Sequence, residues 1–248
     1  MKTTIRIAAL TMLILSSGIA AAVDLSGMLG AGKDLVSAAT VSDKDIIEGS
    51  RSMVKQLDKS EKIAPPGNKY AKRLASLTSA FKNEDGLKLN FAVYESPEVN
   101  AFATPDGSIR VYTGLMDLMN DDELRGVIGH EIGHTKLGHS AAQMKKALLL
   151  SAGTKAVGAS GSQMAGVVTA NAETIQAFGK AQFSQSDETA SDDYGFAFLK
   201  KHNYDVKAME SAFRKLAKME KGSGSSLMAS HPGSDSRADR MKAKAEKG

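Results

Sequence analysis

The chain has 248 residues, 42% hydrophobic and 24% charged, with no cysteine, no tryptophan and a formal charge of +4. Without cysteine there is no disulfide scaffold, thiolate zinc ribbon, cysteine nucleophile or iron–sulfur cluster, so any metal must be held by His, Asp or Glu. The length accommodates one large domain or two small ones with a core that needs no staple, and the five histidines become the residues to follow.

Met1 to Ala22 places Lys2 and Arg6 before an apolar run, Ile7 to Leu15, and ends on Ala20-Ala21-Ala22. That order predicts a cleavable secretory signal over 1–22, because the run is short of the ~20 apolar residues that span a bilayer. No Cys follows it, so a lipobox anchor is excluded. Losing Lys2 and Arg6 takes the charge from +4 to +2. With no basic run interleaved with aromatics, nucleic acid is not an expected partner. Residues 23–40, rich in Gly, Ala and Ser, read as a flexible leader.

Helical spacing of Ile46, Ile47, Met53, Val54 and Leu57 predicts a helix from Val41 to Lys62, capped by Ser42-Asp43 and stopped by Pro65-Pro66-Gly67. Leu74, Leu77 and Phe81 mark a second helix over Asn68–Phe81. Leu87 to Tyr94 alternates as a half-buried strand. Asn100–Ala103 and Ser108–Tyr112 flank the turn Pro105-Asp106-Gly107 and predict a hairpin. Asn120 and Glu123 have capping-box spacing and open the next helix.

Between Ser140 and Gln182 the chain turns small and weakly polar, and Ala156 to Ala172 carries no charge. Its Gly, Ser, Gln and Asn residues dilute it too far for a membrane span, so packed helices with at most peripheral membrane contact are expected. Helices follow over Phe183–Lys201 and Val206–Lys221, then a Gly/Ser loop, His231-Pro232 and a charged stretch from Ser234. The domain is placed at 41–241 and a charged tail at 242–248.

The chemistry concentrates in His130-Glu131-Ile132-Gly133-His134. Histidines at i and i+4 share one helix face, and both imidazoles can reach one ion, with zinc the metal this pattern favours. Glu131 lies on the adjoining face, where it can take a proton from metal-bound water without being a ligand. A catalytic zinc needs a third protein ligand. Six residues after His134 stands Ser140, and His139, five residues on, points elsewhere if the helix continues. Glu188 is the favoured third ligand, with Asp192 one turn later accepting the free N–H of a ligand histidine; Glu173 is its weaker rival. His202 reads as a surface loop residue.

These motifs together, with NAFATPDGSIRVYTGLMDLMNDDELRGVIG before HEIGH and FSQSDETASDDYG and HPGSDSR after it, resemble the CaaX-protease/HtpX class of zinc metallopeptidases. The likeness runs from Val41 to Met241 and is greatest to small secreted LoiP-like and BepA-like members. It implies a single α+β, helix-rich, gluzincin-like zincin domain with a small antiparallel sheet beside the active-site helix. It implies one Zn²⁺ per chain on His130, His134 and Glu188, with Glu131 as general base activating a zinc-bound water and Asp192 behind a ligand. His231 becomes a removable fourth ligand, an oxyanion donor or a packed turn residue, and Asn100, Ala101, Phe102 and Ala103 become the strand along the substrate cleft.

The implied protein is a periplasmic or otherwise exported bacterial endopeptidase for unfolded or misassembled proteins, with outer-membrane assembly proteins as candidate partners. Many relatives have Arg at Gln185 and Glu-Ala at Ala190-Ser191, and the anchoring and disulfide cysteines of some are absent here. The rival readings are a chaperone-like module for outer-membrane clients and a purely structural zinc site.

Overall fold

The computed structural model describes residues 41–156, 172–220 and 226–247. The expected signal sequence, the leader and the centre of the uncharged stretch lie outside them. Ser42 opens α1 (Asp43–Ser60) with a capping box: its Oγ accepts from the Asp45 N–H at 3.2 Å, and Asp45 accepts from the Ser42 N–H at 2.9 Å. Asn68 caps α2 (Lys69–Thr78), which continues as a 3₁₀ turn over Ser79–Phe81 and buries Leu74, Leu77 and Phe81.

The single strand expected over Leu87–Tyr94 is divided. β1 (Asn83–Glu84) and β2 (Leu87–Lys88) form a tight hairpin around Asp85 and Gly86, both with positive φ, the geometry a type I′ turn requires. The Leu89 N–H then turns to the Lys82 carbonyl at 2.9 Å, and β3 (Asn90–Tyr94) starts one residue on. The predicted hairpin is present as β4 (Ala101–Ala103) and β5 (Ser108–Tyr112). Asp106 fastens its turn, accepting from Thr104 Oγ1 at 2.6 Å and from Ser50 of α1 at 2.9 Å.

Strand order is β3-β5-β4, with β4 antiparallel and β3 parallel to the central β5. The sheet beside the active-site helix is therefore mixed rather than wholly antiparallel. The chain between β3 and β4 crosses the end of β5 instead of turning back beside β3. Arg110, in the fully buried β5, is neutralised by Asp58 of α1 through Nε–Oδ1 and Nη2–Oδ2 bonds of 2.9 Å each, which ties α1 to the sheet.

A short helix that no sequence signal marked, α3 (Thr113–Leu118), leads to α4 (Asp121–Lys136). Asn120 and Glu123 form the expected box, at 2.9 and 2.8 Å. Leu124, Val127, Ile128 and Ile132 of α4 are all buried. A second face carries Gly126, Gly129 and Gly133 and meets α7 (Gln185–Lys201) backbone to backbone. A Cβ on Gly195 of α7 would lie 3.1 Å from the His130 nitrogen and 3.2 Å from the Gly126 oxygen, so no side chain fits at that position, while Phe198 and Met209 pack against the glycines.

Gly138, at φ +82°, ends the α4 segment and redirects the chain into α5 (His139–Ala156). The remaining elements are α6 (Ala172–Lys180), α8 (Ala208–Glu220), α9 (Ser226–Ser230) and α10 (Ser234–Glu246). The charged stretch from Ser234 thus folds as a helix, with Ala238 and Met241 in the main core and Arg237 buried. A separate small core joins α1, α5 and α6 through Ile46, Met53, Met144, Leu148 and Phe178. His202 is not a free loop residue: it caps α7, packs on Phe81 with ring centres 4.6 Å apart and lies 3.1 Å from Glu84 Oε1. Among the described residues no helix is long and apolar enough to cross a membrane.

Candidate metal centre and active site

Helix α4 presents His130 and His134 one turn apart, and α7, held close by the glycine contact, presents Glu188 from its first turn. Asp187 and Glu188 sit where the helix dipole favours acids. His231 arrives from the turn between α9 and α10, its N–H bonded to the Leu227 carbonyl at 2.9 Å. One donor atom from each of His130, His134, Glu188 and His231 lies within 4.8 Å of all the others, and all four residues are buried. Glu173, the rival third ligand, is exposed on α6 and outside this group.

His130 Nε2 is 3.0 Å from His134 Nε2 and 3.3 Å from His231 Nδ1. Glu188 Oε1 is 3.2 Å from His134 Nε2 and 2.8 Å from His231 Nδ1. Zinc bonds of 2.0–2.1 Å in a tetrahedron place their donors roughly 3.3 Å apart, so the donor set matches one zinc ion in size and in chemistry. The opposite side of the His130 ring agrees. Its Nδ1 lies 2.9 Å from Asp192 Oδ1, which holds the proton there and leaves the Nε2 lone pair facing the cluster.

Arg237, given no role by the sequence, organises the acids. It binds Asp192 through Nε–Oδ2 at 3.0 Å and Nη2–Oδ1 at 2.6 Å, and it reaches Glu188 Oε2 through Nη1 at 2.6 Å. Its guanidinium stacks on Phe213 at 4.2 Å. Phe183, just before the α7 cap, stacks on His134 with ring centres 3.8 Å apart; its neighbourhood in sequence gave no sign of this. His139 is not among the four donors. Because Gly138 breaks the helix, its ring turns back to lie 3.2 Å from His134 Nδ1.

Burial would raise the pKa values of Glu188 and Asp192, but His130 and the neighbouring imidazoles on the one, and His130 and Arg237 on the other, hold both below the usual carboxylate range. Burial, reinforced by His130, pushes His134 down to about 2, so its imidazole is neutral. An ionised carboxylate and a neutral imidazole are what a cation requires. His231 runs the other way: burial would lower its pKa, but Glu131 and Glu188 outweigh that and raise it. Glu131 behaves differently: burial pushes its carboxyl up against the pull of His231 and His130. Its Oε1 is buried with no hydrogen bond, 3.7 Å from His231 Nε2. Glu131 and His231 also line a cavity of about 150 Å³ whose walls include Asn100–Ala103, Met53, Leu57, Phe178 and Phe183.

An H-E-x-x-H helix with an acidic donor from a later helix and a spare buried carboxylate beside them defines a zincin-type zinc metallopeptidase. The chain belongs to peptidase family M48, whose sequence profile matches residues 68–245. It is similar to metalloprotease LoiP of Escherichia coli K12, with 37% identity over 230 residues covering 89% of this chain and 90% of that one. It is also similar to metalloprotease YcaL of the same strain, with 34% identity covering 89% and 87%. A Vibrio cholerae protease named for enhancing beta-barrel assembly is 27% identical over 187 residues, 71% of this chain and 38% of that protein. The fold is the α+β zincin domain, and the protein is a zinc-dependent metalloendopeptidase.

Proposed function

We propose that this endopeptidase acts in the bacterial cell envelope on unfolded or misassembled proteins, with His130, His134 and Glu188 holding one zinc ion and Glu131 serving as general base. The observation that carries the reading is the buried Glu131 Oε1, without a hydrogen bond beside the donor cluster and facing the cavity. A buried polar atom left unpaired costs about 1–3 kcal/mol, and a peptidase recovers that cost only when substrate and water enter. A structural zinc site would have no use for such a carboxylate. No contact among the described residues favours the chaperone-like reading.

When bound, zinc would polarise the scissile carbonyl and acidify water. Glu131, its pKa raised by burial, accepts the proton of the attacking water and passes it to the leaving amine. Asp192 holds His130 in the ligating tautomer, and Arg237 fixes Asp192 and Glu188. β4 is an edge strand. The Tyr112 N–H bonds to Asn100 and the Thr104 N–H to Ser108, so strand alternation turns the main-chain groups of Ala101 and Ala103 away from β5. An extended substrate segment can add there through main-chain hydrogen bonds, a mode that selects unfolded chains. His231 Nδ1 lies 3.3 Å from His130 Nε2 and 2.8 Å from Glu188 Oε1, where it could serve as a removable fourth donor or, from beside Glu131, as a donor to the developing oxyanion.

The envelope assignment is supported by the signal-like residues 1–22. The Vibrio relative's name supports outer-membrane assembly proteins as partners or clients. The test is cleavage of reduced, unfolded casein against a native globular control by the mature chain, with and without chelator. Chelator-sensitive cleavage confined to the unfolded substrate is expected; equal cleavage of both, or indifference to chelator, contradicts the proposal.

A further inference from the structure

We infer that His139, backed by Asp187, is the group that fixes the tautomer of His134 and so tunes the affinity of the metal centre. The inference rests on the reading of His134 as a zinc ligand. Of the two α4 histidines, His130 has a carboxylate behind it: Asp192 Oδ1 is 2.9 Å from its Nδ1. His134 has no acid at that position. The polar group facing its Nδ1 is His139 Nδ1, at 3.2 Å.

Two nitrogens at that distance share one proton, and the surroundings decide who holds it. The far nitrogen of His139, Nε2, lies 3.5 Å from Asp187 Oδ1, which favours the proton on Nε2. Nδ1 of His139 then carries the one lone pair that accepts from His134 Nδ1–H, with the Ser191 hydroxyl 3.1 Å away beside it. With its Nδ1 protonated, His134 directs its Nε2 lone pair into the cluster. The opposite assignment would put an N–H of His134 among the metal donors, 3.0 Å from His130 Nε2.

The relay is built by two local features. Gly138, at φ +82°, ends α4 so that residue 139 swings back over the preceding turn rather than continuing along the helix. Asp187 is held by the α7 capping box, where its Oδ2 accepts from the Ser184 N–H at 3.1 Å, leaving Oδ1 toward His139. One helix start thus supplies Glu188 to the metal side of His134 and Asp187 to the outer end of the relay. His139 is a positioning residue; it touches no donor atom of the cluster.

The test is zinc affinity, measured by competition with a chromophoric chelator on the mature chain. His139→Leu removes the acceptor and is expected to weaken zinc binding by about 10–100-fold, the cost typical of losing such a partner. His139→Asn restores an acceptor the same number of bonds from the backbone and is expected to bind within about threefold of wild type. Affinities equal to wild type in both variants overturn the inference, as does equal loss in both. Nitrogen-15 spectra of the zinc-loaded wild-type protein give the same answer without any variant. The account predicts a proton on Nδ1 of His134 and on Nε2 of His139, and a proton on Nδ1 of His139 contradicts it. If the wild-type chain binds no zinc, the metal reading itself fails; if it binds zinc and His139→Leu matches it, only this inference does.

Discussion

Arg237 grips Asp192 with two parallel hydrogen bonds, of 3.0 and 2.6 Å, at a place where both side chains are buried. The same guanidinium touches Glu188 Oε2, so one cation from α10 compensates two acids from α7 beneath the metal cluster. Replacing it with methionine leaves Glu188 without a guanidinium and Asp192 with only Arg240, whose Nη2 lies 3.2 Å from Oδ2, as a cation partner. Arg237→Met is expected to destabilise the zinc-free protein by roughly 3–5 kcal/mol, measured by urea unfolding. Arg237→Lys should recover little of it, since an ammonium cannot make the paired contact. A stability change below about 1 kcal/mol would show that the acids are not ionised there.

Gly195 sets how closely α7 approaches α4. A methyl group there meets the His130 backbone nitrogen at 3.1 Å and the Gly126 carbonyl oxygen at 3.2 Å, and neither can move without moving its helix. Gly195→Ala is expected to cost about 1–3 kcal/mol as overpacking and to weaken zinc binding by drawing Glu188 away from the histidines. A variant with lower stability and unaltered zinc affinity would uncouple helix spacing from the donor geometry.

Much of this was legible in the sequence because it is local. The i, i+4 histidines, the Asn120–Glu123 box and the Pro105-Asp106-Gly107 turn each depend on residues a few positions apart. Glu188 and Asp192 were legible for the same reason: one helical turn separates them, and α7 preserves that spacing. What was missed depends on distant parts of the chain meeting. Arg237 reaches Asp192 across 45 positions, and Phe183, outside any helix, stacks on a ring carried by α4. His139 stays outside the donor group as expected, but its contact with His134 Nδ1 was not legible, because it depends on Gly138 ending the helix with a left-handed backbone. The mixed sheet was missed because alternation within a strand carries no information about its neighbour's direction.

Asp58 supplies the pH dependence. Burial alone would raise its pKa, but hydrogen bonds from Arg110 and Tyr94 outweigh that and hold it below the ordinary 3.8. A carboxylate with a depressed folded value stabilises the native state fully above its unfolded pKa and loses that contribution as pH falls through the folded one. Asp58→Asn is expected to cost about 1–3 kcal/mol at neutral pH, partly because Arg110 is left buried without its partner. The gap from wild type should stay constant down to about pH 5 and close progressively below 3.8. Urea midpoints from pH 2 to 7 on both proteins check it; a gap that widens with acid contradicts the sign.

His231 Nδ1 lies 2.8 Å from Glu188 Oε1, and its Nε2 lies 3.7 Å from Glu131 Oε1. If it caps the position that substrate must occupy, His231→Ala should bind zinc more weakly and cleave unfolded casein faster at saturating zinc. Slower cleavage at saturating zinc would instead assign His231 to the developing oxyanion.

The central claim is that Glu131 acts on water and does not hold the metal. Its most direct measurement is zinc content and casein cleavage on the same preparation of Glu131→Gln. The account predicts one zinc per chain, as in wild type, with peptide hydrolysis abolished. Retained hydrolysis, or loss of zinc together with activity, would contradict it.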